Sequence, residues 1–283
     1  MRTASDRLMR GCLWSVTLAL ALGACESGGT SSQTAPPVPA WLSEDFSTYM
    51  NTADLLANPR GIYSAGEDVC GNGCPTADPG TITLDQAVGL NAGGYHLTQS
   101  MRYDQPASPA CGSDPSVGRN LVLPSAAQDV WLELWVRFSS GWTAADSRAT
   151  TCDPSYKFVF GRIDGAPDRW ALGIESQSGA FLSSYPGQPG VNTYISYSGP
   201  TAPYAGFAPG DGNWHRYRFY WSYSHKILQV WFDDHLALSQ SGIVATGTDI
   251  YGIALGRNIN SGPVKAQSIW WGLVRVYDVN PGW

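Results

Sequence analysis

The stretch from Gly212 to Leu236 constrains the fold of this chain most, because it predicts two neighbouring β-strands. Trp214–Tyr223 consists almost entirely of aromatic residues and arginine, and Ile227–Asp233 alternates between two kinds of side chain. A period of two residues is typical of a strand with two different faces. Ser224–Lys226 and Asp233–His235 predict tight turns, since aspartate and serine favour turn geometry. One face of this hairpin can enter an apolar core, and the other carries Arg216, Arg218, Tyr220, Gln229 and Trp231.

The rest of the chain also favours strands. Only 14% of its 283 residues are charged, whereas 32 glycines and 19 prolines supply turns and 12 tryptophans and 14 tyrosines suit sheets. Phe46–Leu56 is the one strong helix candidate. We therefore expect an all-β sandwich or barrel. The other predicted strands are Gly61–Ser64, Thr81–Asp85, His96–Tyr103, Arg119–Leu123, Asp129–Phe138, Tyr156–Ile163, Trp170–Ser176, Thr193–Ser196, Ile250–Leu255 and Gln267–Val279.

The N-terminus predicts export. Residues 1–24 join an arginine-containing start to a short apolar run, which is typical of a signal peptide. The tetrapeptide ending at Cys25 resembles a bacterial lipobox, which implies lipidation of Cys25; an ordinary secretory signal is the alternative. By the same resemblance, Glu26 favours anchoring at the outer rather than the inner membrane. Residues 25–40 are Gly-, Ser- and Pro-rich and predict a tether, and residues 41–283 form the predicted folded domain.

Cysteine usage agrees with export. Outside the cytoplasm, an even number of remaining cysteines predicts disulfides, here Cys70 with Cys74 and Cys111 with Cys152. A metal site is the weaker alternative, because no histidine lies near either pair. We assign no metal ligand and no cofactor, although calcium stays open. The net charge of −6, which becomes more negative once a signal peptide with three arginines is removed, argues against a nucleic-acid partner.

The order of the late strands carries a resemblance. Gly212–His215 opens one strand, Val230–Asp233 lies on the next, and Trp270–Asp278 ends the chain's strand pattern. This order resembles the concanavalin A-like lectin/glucanase superfamily, which includes polysaccharide lyases and laminin-G-like modules. The resemblance implies a jelly-roll sandwich of two antiparallel sheets over residues 41–283. It also implies that His215, Tyr217, Phe219 and Trp221 point inward, so that Trp214, Arg216, Arg218 and Tyr220 point outward.

The outward face is the predicted ligand-binding surface. Pyranose rings stack on Trp and Tyr, and arginine offers a planar fork of donors for carboxylates. Cross-strand aromatic pairs that only stabilise the sheet are the alternative. By alternation along Asp129–Phe138 and Gln267–Val279, the predicted ligand-binding residues are Trp131, Glu133, Trp135, Arg137, Arg216, Arg218, Tyr220, Gln229, Trp231, Trp271 and Arg275.

Catalysis stays open at the sequence level. The superfamily's glucanases carry Glu-x-Asp-x-x-Glu, but Trp135 stands where the Asp should be after Glu133. Its alginate lyases carry Gln-Ile/Val-His, and here Gln229-Val230 is followed by Trp231. A different lyase arrangement built from tyrosine, arginine and lysine remains open, so that a lyase is favoured over a hydrolase if the chain is an enzyme. The weak catalytic candidates are Tyr220, Tyr277, Arg216, Arg275 and Lys157.

The expected function follows from the predicted export signal and the predicted ligand-binding face. We expect an exported, lipid-anchored, monomeric protein that recognises an extracellular or envelope polysaccharide through the outward face and touches the membrane only through its anchor. Polysaccharide lyase or glycoside hydrolase activity is the first alternative. A structural or adhesion lipoprotein without a glycan ligand is the second.

Overall fold

Alternating side chains along the predicted strands build two antiparallel sheets. The computed structural model describes residues 38–58, 60–63, 80–107, 118–143, 155–163, 166–175, 179–183, 193–195, 209–241, 249–256, 259–260 and 264–283. The elements are β1 (Leu42–Glu44), α1 (Thr52–Ala57), β2 (Thr81–Asp85), β3 (Asn91–Ala92), β4 (Tyr95–His96), β5 (Ser100–Gln105), β6 (Arg119–Ala127), β7 (Asp129–Phe138), β8 (Ser155–Ile163), β9 (Ala166–Glu175), β10 (Gly179–Ser183), β11 (Thr193–Ile195), β12 (Trp214–Ser222), β13 (Ile227–Phe232), β14 (His235–Ser241), β15 (Ile250–Leu255), β16 (Ile259–Asn260) and β17 (Gln267–Tyr277).

The strands divide into a front sheet and a back sheet. The front sheet has the order β14-β13-β12-β7-β17-β5-β2, with β1 paired to β17. The back sheet has the order β11-β10-β9-β8-β15-β6, with β16 paired to β8. A separate two-stranded hairpin, β3–β4, lies outside both sheets. All the described pairings within the two sheets are antiparallel, as expected for a jelly-roll sandwich.

The core lies between the two sheets and contains the inward residues of each strand. Along β7 the apolar residues at alternate positions from Val130 to Phe138 are fully buried. Aromatic rings join the sheets: Phe158 of β8 stacks on Trp271 of β17 with centroids 5.3 Å apart and lies edge-on to Tyr217 of β12 at 5.0 Å. His215 follows the same inward alternation and is buried, as the resemblance implied.

A β-bulge corrects the predicted faces of β17. Strict alternation placed Ile269 and Trp271 outward with Leu273, Arg275 and Tyr277, but the register with β7 shifts between Trp271 and Leu273. The extra residue reverses the alternation at that point. Ile269 and Trp271 are therefore in the core with 0% exposure, and Trp271 is not a ligand-binding residue. The outward set is Trp270, Leu273, Arg275 and Tyr277.

The predicted helix begins later than expected. Asn51 caps α1 by accepting a hydrogen bond from the backbone N–H of Asp54 at 2.9 Å. Phe46, where the sequence placed the start, has φ 62° and so cannot belong to a right-handed helix.

Three of the predicted strands agree with the structure at both ends: Thr81–Asp85, Asp129–Phe138 and Ile250–Leu255. The sequence analysis missed the short strands β1, β3 and β16 and the strands β10 and β14.

Several predictions concern residues outside the described ranges. They are the signal peptide, Cys25, most of the tether, and the cysteines at 70, 74, 111 and 152. Residues 37–283 form one compact unit. Within the described part of the chain, no helix is long and apolar enough to cross a membrane.

Candidate functional site

The outward face of the front sheet brings most of the predicted binding residues into neighbouring rows. Cross-strand register places Trp131 of β7 between Tyr220 of β12 and Tyr277 of β17. The next row places Glu133 between Arg218 and Arg275. The six residues of these two rows and Arg216, their neighbour on β12, form what we call the aromatic–arginine cluster: Trp131, Glu133, Arg216, Arg218, Tyr220, Arg275 and Tyr277.

Glu133 is the anionic centre of this cluster. Its carboxylate lies 3.8 Å from Arg216 Nη1 and 4.0 Å from Arg275 Nη1. The Tyr277 hydroxyl donates a long hydrogen bond of 3.5 Å to it. Glu133 is only 4% exposed, whereas the guanidinium groups around it reach solvent. The distances to arginine indicate attraction between charges rather than direct hydrogen bonds.

A tight turn holds two of the arginines in place. Asp233 and Asp234 connect β13 to β14 with φ of 44° and 71°, as in a two-residue hairpin turn. Asp234 Oδ1 accepts a hydrogen bond of 2.6 Å from Arg218 Nη1, and its other oxygen pairs with Arg216. Burial lowers the pKa of Arg218, and the neighbouring charge of Arg216 lowers it further. The two guanidinium groups repel each other, and the Asp234 carboxylate offsets this repulsion because it pairs with both.

The aromatic residues of the cluster pair with each other. Trp131 and Tyr220 stack at 4.5 Å between centroids with an interplanar angle of 15°. One face of each ring is thus occupied by the other ring, as in a cross-strand pair that stabilises a sheet. Both residues remain partly exposed. Trp283 adds a further ring, which lies edge-on to Tyr277 at 5.5 Å and over the Arg218 guanidinium at 4.6 Å.

The β3–β4 hairpin covers the middle of the outward face. Leu90, which precedes β3, packs with Trp135 and Leu273 in a small apolar cluster of its own. Gly93 has φ 58°, and a Cβ atom there would come within 2.3 Å of the Trp135 ring, so glycine is required on both counts. Trp135 faces outward as predicted but is 6% exposed. Because the hairpin occupies its ring face, Trp135 is not available for stacking on a sugar.

The hairpin also contributes directly to the cluster. Tyr95 Oη accepts a hydrogen bond of 2.6 Å from Arg275 Nη1. Neither Tyr95 nor Trp283 was predicted as a site residue. The sequence did carry a signal for Tyr95, since Gly93-Gly94 between two short segments is typical of a two-residue hairpin turn. The position of Trp283 has no comparable local signal.

The remaining predicted residues lie beside the cluster or away from it. Gln229 donates a hydrogen bond of 3.1 Å to Ser239, and Trp231 is the cross-strand neighbour of Arg218. Arg137 packs over the Trp270 ring at 5.3 Å, beyond the hairpin. Lys157 belongs to β8 of the back sheet. Lys157 is therefore on the other sheet from the remaining catalytic candidates, which are Tyr220, Tyr277, Arg216 and Arg275.

His215 is held between two carboxylates on the core side of β12. Its Nδ1 atom lies 2.6 Å from Asp233 Oδ2 and its Nε2 atom 3.1 Å from Asp211 Oδ1. Burial alone would lower the pKa of His215, but the hydrogen bonds and charges of Asp233 and Asp211 outweigh it and raise the pKa. Among the described residues, no group of three or more His, Cys, Asp or Glu is placed to hold a metal ion.

Comparison with known proteins identifies the fold. No protein-family model matches the sequence, and no curated protein matches it. Among solved structures, the cellulose-induced protein Cip1 has a TM-score of 0.56 at 13% identity over 84% of this chain and 97% of that one. An endo-β-1,4-glucuronan lyase from the fungus Trichoderma reesei has 0.51 at 14% identity over 78% and 98%.

A third similar structure is a mutant of alginate lyase Aly36B in complex with an alginate tetrasaccharide. It has a TM-score of 0.50 at 13% identity and covers 86% of this chain and 98% of its own. At such low identities these similarities establish the fold alone. The chain has the concanavalin A-like jelly-roll fold that the sequence predicted.

Proposed function

We propose that this protein recognises a polysaccharide at the aromatic–arginine cluster. The observation that carries the proposal is the composition of that cluster: three arginines surround one buried glutamate, beside a partly exposed Trp–Tyr pair. Solved structures with this fold include an alginate lyase bound to an alginate tetrasaccharide, which supports a carbohydrate ligand by analogy.

The charges of the cluster favour a polysaccharide that contains acidic sugars. Arg216, Arg218 and Arg275 outnumber Glu133 and Asp234, although the chain as a whole is acidic. A guanidinium group can bind a carboxylate through two parallel hydrogen bonds. A sugar carboxylate would therefore meet local positive charge on a protein that otherwise repels anions.

Tyr277 is placed to donate a hydrogen bond to a bound ligand. Burial raises the pKa of Tyr277, and the charge of Glu133 raises it further. Its hydroxyl therefore stays protonated at neutral pH and acts as a hydrogen-bond donor, not as a base. No histidine belongs to the cluster as the structure describes it, since His215 lies on the opposite face of β12.

One contact favours lyase activity as the second candidate. β-Elimination needs a neutraliser for the uronate carboxylate, a base for the proton at C5 and an acid for the leaving oxygen. The Tyr95 oxygen accepts a hydrogen bond from Arg275 and so lies beside the cluster. In this alternative the deprotonated form of Tyr95 takes the proton from C5 as the bond between the sugar and the leaving oxygen breaks, Tyr277 donates its proton to that oxygen, and Arg275 or Arg218 binds the carboxylate.

A binding and cleavage assay tests both functions together. The full chain is incubated with neutral and uronate polysaccharides, and retention is followed alongside new unsaturated and new reducing ends. Retention of uronate polymers without new ends is the expected result. Unsaturated ends that disappear in Tyr95→Phe would establish the lyase instead. If no polysaccharide is retained, the proposal is wrong.

Two variants assign the binding to the cluster. Trp131→Ala should weaken binding by about 1–3 kcal/mol, by analogy with aromatic stacking on nucleic-acid bases. Tyr251→Ala is the matched control, because Tyr251 is a partly exposed aromatic residue on β15 of the back sheet. Equal binding by the two variants would place the ligand elsewhere on the protein.

We also propose that the protein is exported and anchored through a lipid on Cys25. The N-terminal sequence pattern supports this proposal. Metabolic labelling with a radioactive fatty acid should mark the wild-type protein, and Cys25→Ala should remove the mark. An unlabelled wild-type protein would contradict the anchor.

A further inference from the structure

A second pocket lies at the opposite end of the front sheet from the aromatic–arginine cluster. It has a volume of about 510 Å³ and is formed where β5 and β7 end and β2 and β17 begin. Trp131 stands near the start of β7, whereas Ser139 and Ser140 of the pocket follow its end. The β3–β4 hairpin covers the rows between them, so the cluster and the pocket are separate regions of the protein.

The walls of this pocket carry many hydrogen-bonding groups among apolar surface. Its lining includes the hydroxyl groups of Thr81, Ser139, Ser140 and Ser268, and its described part contains no aromatic ring. Asp104 Oδ1 accepts hydrogen bonds from Arg102 Nε at 2.7 Å and from Ser268 Oγ at 2.5 Å. These contacts fix one side of the pocket. Hydroxyl groups without a stacking ring fit a polyhydroxylated ligand better than a nucleotide or an apolar molecule.

Two buried amides also belong to the lining. Gln267 Nε2 donates to Gln105 Oε1 at 3.2 Å, and Trp142 Nε1 donates to the same oxygen at 3.1 Å. Gln105 is only 1% exposed, and its Nε2 atom has no hydrogen-bond partner among the residues that the structure describes. A buried donor without a partner costs free energy and calls for an explanation. An oxygen-rich ligand or water in this pocket would satisfy it after a small shift of the side chain.

The charge of the pocket selects among polyhydroxylated ligands. Arg102 is balanced by its ion pair with Asp104. Lys265 also lines the pocket and is exposed, and within the described ranges no ion pair involves it. Its ammonium group is therefore available to an anion at the rim of a hydroxyl-lined space.

We propose that this pocket binds a single sugar residue that carries a negatively charged group. The sugar hydroxyls would bond to the serine, threonine and amide groups, and the anionic group would lie against Lys265. A carboxylate and a sulfate share this chemistry, and the pocket volume lies within the usual range for small-ligand sites. The proposal does not require that the aromatic–arginine cluster binds a polysaccharide.

Saturation-transfer NMR titrations on the full chain test the site. The probes are glucuronic acid, galactose 6-sulfate and glucose, which separate carboxylate, sulfate and neutral sugar. At least one anionic sugar should bind more tightly than glucose. Lys265→Gln should weaken the binding of that sugar about tenfold, which is near the lower limit for the loss of a hydrogen bond to a charged group. Ser140→Trp, at an exposed position on the rim, should abolish binding by filling the entrance.

One further variant is the matched control. Tyr251→Ala, at an exposed aromatic position on the back sheet, should leave monosaccharide binding unchanged. The proposal is overturned if glucose binds as tightly as the anionic sugars, if Lys265→Gln has no effect, or if Ser140→Trp binds the anionic sugars as tightly as the wild type.

Discussion

Replacing Glu133 by glutamine would remove the only anion at the centre of the aromatic–arginine cluster while preserving its shape. The carboxylate attracts Arg216 and Arg275 from 3.8 and 4.0 Å. Each such pair is worth about 4 kcal/mol at an effective dielectric constant of about 20. Burial of the carboxylate opposes this gross attraction by several kcal/mol. We expect Glu133→Gln to lower the free energy of unfolding by about 2–4 kcal/mol.

Urea unfolding provides the measurement, with the m value as a check that only stability has changed. Asp129→Asn is the matched control, since Asp129 begins the same strand but lies partly exposed and bonds to Ser224. That control should change stability by about 1 kcal/mol or less. A double-mutant cycle with Arg275→Gln should give a coupling energy of at least about 0.5 kcal/mol, because the two side chains are in contact.

An unchanged or higher stability of Glu133→Gln would refute this reasoning. It would mean that the desolvation of the carboxylate exceeds its attraction to the arginines, as happens in some buried ion pairs. The arginines would then be held by Asp234 and Tyr95 alone, and the role of Glu133 would have to be sought in ligand binding.

Three further predictions concern other parts of the molecule. Trp271→Ala should cost about 3–5 kcal/mol by urea unfolding, as for other buried aromatic residues, whereas a surface position would cost little. His215→Gln should lower the free energy of unfolding more at about pH 5.5 than at about pH 8.5. Because folding raises the pKa of His215, the stability that its charge pairing contributes is fully present below about pH 6.5 and is lost as the pH rises through the folded-state pKa. An equal loss of stability at both pH values would contradict the charge pairing. Mass mapping of unreduced peptides should find Cys70 joined to Cys74 and Cys111 to Cys152, and free thiols or the crossed pairing would contradict this.

The sequence predicted the sandwich because most strands alternate strictly. Along β7 the aliphatic residues and Phe138 alternate so regularly with tryptophan, glutamate and arginine that both ends and both faces of the strand agree with the structure. On β17 both faces are largely apolar, so the pattern gave no sign of the bulge that turns Trp271 inward. A local backbone irregularity of this kind depends on packing against neighbouring strands, which alternation does not encode.

The candidate site was predictable only as far as it lies on regular strands. Arg216, Arg218 and Tyr220 face outward with Glu133 because they share the register of two long neighbouring strands. The parts that come from elsewhere in the chain were not predictable by the same route. Tyr95 reaches the cluster from a hairpin and Trp283 from beyond the last strand, and their contacts depend on tertiary packing.

The β3–β4 hairpin also decides in which direction a long ligand could lie. A polymer cannot follow the strands from one end of the front sheet to the other, because the hairpin blocks the rows at Trp135 and Trp214. A chain bound at the aromatic–arginine cluster would therefore cross the strands from β12 through β7 to β17. Those two steps between strands, at about 4.8 Å each, give a path of about 10 Å. The proposed binding surface is thus short and transverse, and it would contact only a few consecutive sugar units of any polysaccharide.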